Sequence, residues 1–390
     1  MKHLSFIFLF LFWKAADGQN TFAGYFHSGK YNTGYCDTIL YIETVSYRQY
    51  DYNGPAPLFV QIWHPVEKKQ TGPPLRFGEL RKRALPENLK RLYDSLYTKS
   101  DTAFIDYNIA YTVPEEEPID YGQIPVTCVL DSLKSYTTTA FPAVMEGKSG
   151  FPVIVYHHGS QSIAEENFAM AEFFASRGFI FISANFHLPY AGMPIGGVPF
   201  LSSQAFENDQ QQVKNLMRFA RQITDNKNIF FIGHSWGAQS GWGFLFEKGW
   251  ASAFVSLETT LEDKNDTVKI KEKWPEMYSL IKTQRKNYPL PVLLFSGSRL
   301  DQPFHFFDTP GKNNMIFASA RSAFEHNSFT AVYLMRYFFR SGFNQPDAAY
   351  LKEQLQLYAG HLEMIHSFLL SVTEKKPFDK SRYQENFYLH

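Results

Sequence analysis

The sequence predicts an α/β fold, with a mostly parallel sheet of about eight strands and helices on both of its faces. Three observations carry this. From Phe151 onward, short apolar runs alternate with stretches of helical periodicity, the pattern of βα units. One of these runs ends in Gly233-His-Ser-Trp-Gly237 and passes directly into small residues suited to a tightly packed helix. The composition, 44% hydrophobic and 19% charged over 390 residues, is that of a chain with a large core rather than a disordered one.

Taken in order, the chain opens on Lys2 and His3, followed by an apolar run from Leu4 to Trp13 broken only by Ser5. Ala15, Ala16 and Gly18 then supply the small residues of a cleavage site, so residues 1–18 are expected to be an export signal. The run is too short for a bilayer, which needs roughly 20 residues. No second stretch of that length follows. The expected mature product is a secreted (extracellular or periplasmic) single domain, 19–390, without a transmembrane segment. Its two cysteines, Cys36 and Cys128, are compatible with one disulfide or with two free thiols.

Thr38–Val45 and Leu58–Trp63 read as two early strands joined through the turn-rich Asp51-Tyr-Asn-Gly-Pro55. Pro152–Val155 begins the regular part. A helix-like stretch from Glu165 to Arg177 follows, then the strand 179–186. Ala205–Ile223 has Val213, Leu216, Met217 and Ala220 at helical spacing, and further strands fall at 228–232, 251–257, 291–295 and 314–318. Two stretches break the rhythm. Residues 67–125 are polar, with a basic helical piece around Arg81–Arg91, and residues 261–288 are charged and helix-prone. Neither has enough apolar residues for a core of its own, so both are read as helical insertions that either cap the site or decorate the surface. Lys plus Arg equals Asp plus Glu at 38 each, which leaves no basic surplus for nucleic acid.

The chemistry centres on Ser235. Gly233-x-Ser235-x-Gly237 between a strand and a helix is a nucleophile elbow, a sharp turn that holds the serine strained and exposed at the head of the helix. Glycine is required on both sides because a Cβ there would strike the neighbouring strand and helix. Tyr156-His-His-Gly-Ser-Gln-Ser162 also follows a strand, and Gly159 would let the amide of Ser160 point at a carbonyl oxygen. The amide of Trp236 would be the second oxyanion donor. His157 and His158 lack a third ligand at metal spacing and read as loop-bracing groups; no metal or cofactor is expected. His326 follows the last parallel run and is the candidate general base, whereas His361 and His366 read as helix-face residues. Two carboxylates compete for the role of acid: Glu258, directly after strand six, and Asp301, after strand seven.

These motifs resemble those of the α/β-hydrolase fold, and within it the platelet-activating-factor acetylhydrolase branch, which is similar also to dienelactone and polyester hydrolases. Leu58–Pro65 resembles that branch's opening strand, Pro152–Gly159 its oxyanion loop, 171–187 its following helix and strand, and Gly233–Gly237 its elbow. His326 with Phe329 resembles its H-x-x-F base segment. The resemblance implies a serine hydrolase of carboxylic esters, lipid-like or acetyl, with Ser235, His326 and Glu258 as triad, since in that branch the acid follows strand six; Asp301 stays as the alternative. The chain departs from the branch in Gly-Ser-Gln after the oxyanion glycine, in Glu rather than Asp as acid, and in Ala238 where a further glycine is common. The other readings are a non-catalytic binding protein on the same fold and a hydrolase of another acyl bond, such as a peptidase or thioesterase.

Overall fold

The computed structural model describes residues 22–26, 28–43, 47, 51–67, 72–105, 126–160, 162–186, 203–258, 271–272, 275–284, 287–297, 315–335 and 348–389. The expected export signal at 1–18 lies outside them, as does Asp301.

The strands are β1 (Asn32–Ile42), β2 (Ala56–Val66), β3 (Ala140–Pro142), β4 (Val153–His157), β5 (Ile180–Ala184), β6 (Ile229–His234), β7 (Ala253–Leu257), β8 (Val292–Ser296), β9 (Met315–Ala320) and β10 (Phe387–Leu389). They form one sheet in the order β10-β9-β8-β7-β6-β4-β5-β2-β1-β3. The run from β9 to β5 is parallel throughout, and β2 is antiparallel to both β5 and β1. This is the mostly parallel sheet expected, with two short strands added. β3 and β10 span three residues each, too few to show a period of two in the sequence. β1 also starts earlier than expected, at Asn32. Its polar opening is carried by an unbroken antiparallel register with β2, from Asn32 opposite Val66 to Ile42 opposite Ala56.

Successive residues of the central strands face opposite ways, as the pleat requires. Ile154, Tyr156, Phe181, Ile232, Leu257 and Phe295 join one apolar layer, whereas Val153, Val155, Ile182, Phe231 and Leu294 join the other. The first layer is covered by α3 (Phe168–Ser176), α7 (Ala331–Met335) and α8 (Ala348–Glu374). The second is covered by α1 (Glu87–Ile105), α4 (Ser203–Gln222), α5 (Trp236–Leu245) and α6 (Pro275–Gln284). The remaining helix, α2, is Val126–Ser135. Among the described residues no helix is long and apolar enough to cross a membrane.

The described part of 67–125 packs onto the sheet. Arg81 closes a short 3-10 turn, and the helix begins only at Glu87, after Pro86, whose carbonyl accepts from the Lys90 amide at 2.8 Å. Tyr93 of α1 meets Phe59 of β2 edge-on at 4.8 Å between centroids. Arg81 is buried between Asp101 of α1 and Glu165 ahead of α3, and stacks over Tyr97. Cys36 on β1 is a free thiol, and burial raises its pKa; the side chain of Cys128 is outside the described set.

One buried carboxyl makes this fold sensitive to pH. Glu172 on α3 is 8% exposed and accepts from the amide and hydroxyl of Thr139 at 3.0 and 2.8 Å. Burial pushes its pKa up to about 7, against those hydrogen bonds, which pull it down. A carboxyl held above its unfolded value contributes stability below pH 4.5 that is lost as pH rises through about 7. The Glu172→Gln variant is expected to flatten that slope and to unfold at higher urea than the parent at pH 8, by on the order of 3 kcal/mol. Urea titrations of both proteins at pH 5 and pH 8 check this; identical slopes would refute it.

Candidate active site

In the sheet order, β4 has β5 on one side and β6 on the other, so the chain reverses direction of travel there. The crevice beyond the carboxyl ends of the strands at such a reversal is where open α/β sheets place ligands. Both loops singled out from the sequence leave the sheet at this point, one after β4 and one after β6.

Ser235 is the single residue between β6 and α5 and takes φ 49° and ψ −115°. A non-glycine residue at positive φ is strained, and the surroundings hold it there. Its amide donates to the Leu257 carbonyl at 3.1 Å, and its carbonyl accepts from Ala238 at 3.0 Å. A Cβ on Gly233 would strike the Gly237–Ala238 backbone, and one on Gly237 would strike the His157 carbonyl. Neither glycine can be replaced without parting β4, β6 and α5.

The loop after β4 lies directly against this turn. A Cβ on Gly159 would stand 3.0 Å from His234 Nδ1 and 3.5 Å from Ser235 Cβ. Ser160 is buried beside it. His157 is fully buried, with Nε2 3.0 Å from Asp209 Oδ2 and its ring stacked on Phe186 at 4.0 Å. Asp209, on α4, also accepts from the indole of Trp236 at 3.0 Å. Burial, with the neighbouring His157, lowers the pKa of His158 to about 4. Among the described residues, no group of three His, Cys, Asp or Glu is placed to hold a metal.

His326 opens the 3-10 turn His326–Phe329 that follows β9, and its side chain is 39% exposed. Its Nδ1 is 3.7 Å from Oε2 of Glu258, whose side chain is 6% exposed. Glu258 follows β7 at φ 37°, with its amide bonded to the Phe295 carbonyl at 3.0 Å. Oε2 is buried and has no hydrogen-bond partner among the described residues, so the imidazole is the nearby group able to serve it. Gly297, just past β8, makes room for this carboxylate: a Cβ there would lie 2.9 Å from Oε2 and against the Phe324 carbonyl. Glu258 therefore lies beside His326, whereas Asp301, the other acid candidate, is outside the described residues. His361 and His366 lie on α8. His361 is enclosed by Phe295, Phe324, Phe329 and Phe387, and burial drives its pKa down to about 3.

Three contributors escape a reading of the sequence: Asp209, Gly297 and Glu166. Asp209 sits in a polar helix with nothing to set it apart from its neighbours. Gly297 is one of several glycines after strands. Glu166, whose carboxylate accepts from the Gly159 amide at 3.3 Å and faces His234, is the second of two adjacent glutamates, and the sequence does not show which of the two turns toward the site.

No protein-family model matches this chain, and no curated protein matches it by sequence. Solved structures do. A ferulic acid esterase from Streptomyces cinnamoneus superposes with a TM-score of 0.57 at 14% identity, covering 93% of this chain and 96% of its own. This chain has the α/β-hydrolase fold. Other solved structures match less of it. An acylaminoacyl peptidase from Pyrococcus horikoshii gives a TM-score of 0.43 at 15% identity over 61% of this chain and 40% of its own. A monoacylglycerol lipase from Paleococcus ferrophilus gives 0.35 at 12% over 54% and 96%.

Proposed function

We propose that this α/β-hydrolase-fold protein is a secreted serine hydrolase that cleaves carboxylic esters, lipid-like or acetyl, through an acyl-enzyme. The observation that carries the reading is the strained Ser235 between β6 and α5, pressed against the Gly159 loop at the sheet's topological reversal. Strain at a non-glycine residue is retained where the surroundings enforce it, and such residues cluster at reactive sites.

In this reading Ser235 Oγ attacks the ester carbonyl while His326 takes its proton. Glu258 accepts from His326 Nδ1–H, which fixes the tautomer and stabilises the imidazolium. The amides of Ser160 and Trp236 receive the oxyanion. His326 then protonates the departing alkoxide. Water attacks the acyl-enzyme by the same route in reverse, leaving the acid and free Ser235. The 3.7 Å between His326 and Glu258 shortens to a hydrogen bond when a substrate closes the site, since such contacts are often long in unliganded enzymes. The acetylhydrolase-like motifs favour short or lipid-like acyl groups, and the short apolar N-terminal run favours export.

The test is labelling with a fluorophosphonate, then turnover of p-nitrophenyl esters from acetate to laurate together with a ferulate ester. One adduct on the peptide carrying Ser235, with ester turnover, is the expected result. No adduct and no turnover would leave a binding protein on a hydrolase fold, and amide cleavage equal to ester cleavage would move the protein to the peptidases.

The cradle at Gly297 yields a further expectation. Gly297→Ala should push the Glu258 carboxylate off His326, lowering kcat about 10²-fold, the scale of an ångström's misplacement, with KM little changed. Wild-type kinetics in a folded Gly297→Ala protein would show that Glu258 does not serve the base.

A further inference from the structure

One buried side chain adjoins Ser235, meets His326 and reaches the Gly159 loop through Glu166. His234, the residue before Ser235, is almost wholly buried, with its ring 4.8 Å from that of His326 and tilted 32° to it. Its Nε2 lies 3.2 Å from the His326 carbonyl oxygen; a carbonyl only accepts, so Nε2–H is the donor. Its Nδ1 faces Oε1 of Glu166 at 3.5 Å. That same oxygen accepts from the amide of Gly159 at 3.3 Å and from the hydroxyl of Tyr156.

The backbone repeats the connection. The Glu166 carbonyl accepts from the Val332 amide at 2.9 Å. The next side chain, Asn167, donates to the Phe329 carbonyl and accepts from the Ala331 amide, both at 3.0 Å. Glu166 and Asn167 thus clamp the segment after His326 to the entry of α3. Burial alone would raise the Glu166 pKa, but the imidazoles of His234 and His158 outweigh it and hold the carboxyl at about 2. The buried carboxylate form is thereby favoured, and such a group is tolerated only where its partners fix it.

We propose that Glu166 and His234 are positioning residues for the reaction: they hold the backbone of the base, and with it the His326 ring, in register with Ser235 and the Gly159 loop. The proposal rests on the ester-hydrolase reading above. A pinned base backbone matters because the His326 ring is itself 39% exposed, so solvent alone would not hold it in place. Loss of His234 Nε2 frees the carbonyl that anchors it, and proton transfer suffers before binding does.

The experiment compares His234→Leu, His234→Gln and Glu166→Gln in the full chain, with p-nitrophenyl acetate as substrate. Circular dichroism reports the fold. His234→Leu is expected to lower kcat about 10²-fold with KM within about twofold. His234→Gln, whose amide can again donate to the His326 carbonyl, is expected to recover about tenfold of that loss, which a merely space-filling role would not produce. Glu166→Gln, close in shape but uncharged, is expected to lower kcat at unchanged KM, and it serves as the measurement should His234→Leu fail to fold. Kinetics within threefold of wild type in a folded His234→Leu or Glu166→Gln protein would overturn the proposal, as would equal losses in the two His234 variants. A wild-type protein that neither turns over ester nor takes a fluorophosphonate would instead sink the ester-hydrolase reading itself.

Discussion

Ser235→Ala is expected to lower kcat on p-nitrophenyl esters by on the order of 10⁶ and to abolish fluorophosphonate labelling, with the fold intact. The fold should survive because the elbow is built by its flanks. Gly233, Gly237 and the Leu257 carbonyl set the turn, and alanine loses only Oγ. Activity over water should not vanish altogether: the oxyanion donors and the binding surface remain, and in triad hydrolases they sustain a residual roughly 10³ to 10⁴. Intact-mass spectrometry after labelling and steady-state kinetics on the same preparation make the test. A variant that keeps a tenth of the parent's turnover would show that another group is the nucleophile.

The second large effect is expected at Glu258. Glu258→Gln keeps the size of the side chain but offers His326 Nδ1 an amide in place of a carboxylate, so the imidazole is often in the wrong tautomer. An Asp-to-Asn change of this kind in a serine protease costs about 10⁴ in kcat, and a similar loss is expected here. Asp301→Asn is the matched control and should leave kcat close to the parent's, because a carboxylate that makes no contact specific to the transition state does not lower the barrier. Both are measured at saturating substrate. The reverse pattern would move the acid to the loop after β8, and large losses at both would mean that two carboxylates support the imidazole.

Much of this organisation is legible in the linear sequence because it depends on local periodicity. The apolar runs that become β4 to β9 are bounded by helical patterns, and a serine between two close-set glycines is conspicuous. His326 is legible through its place after the last parallel run. Contacts made across the fold leave no such trace. His157 and Asp209 are 52 residues apart, and neither segment carries a sign of the other. Asn167 reaches Phe329 across 162 residues. Arg81, read from the basic stretch as part of a solvated helix, instead lies in a buried ionic contact with Asp101 and Glu165, a tertiary effect that composition does not show. The choice between Glu258 and Asp301 turns on which carboxylate meets an imidazole 68 or 25 residues away, and spacing along the chain does not encode it.

The short β10 shields part of one edge of the sheet. It pairs antiparallel with β9 through Phe387, Tyr388 and Leu389, facing Ala320, Ser319 and Ala318. Without those residues, Ala318–Ala320 on the outer side of β9 would present unpaired amides and carbonyls, a template on which other chains can add. These three follow directly on the apolar Met315-Ile-Phe317, so molecules lacking 387–389 should aggregate more readily than the full chain. Phe387 also closes the aromatic box around His361, so the strand that extends the sheet beyond β9 and the enclosure of that imidazole depend on the same side chain.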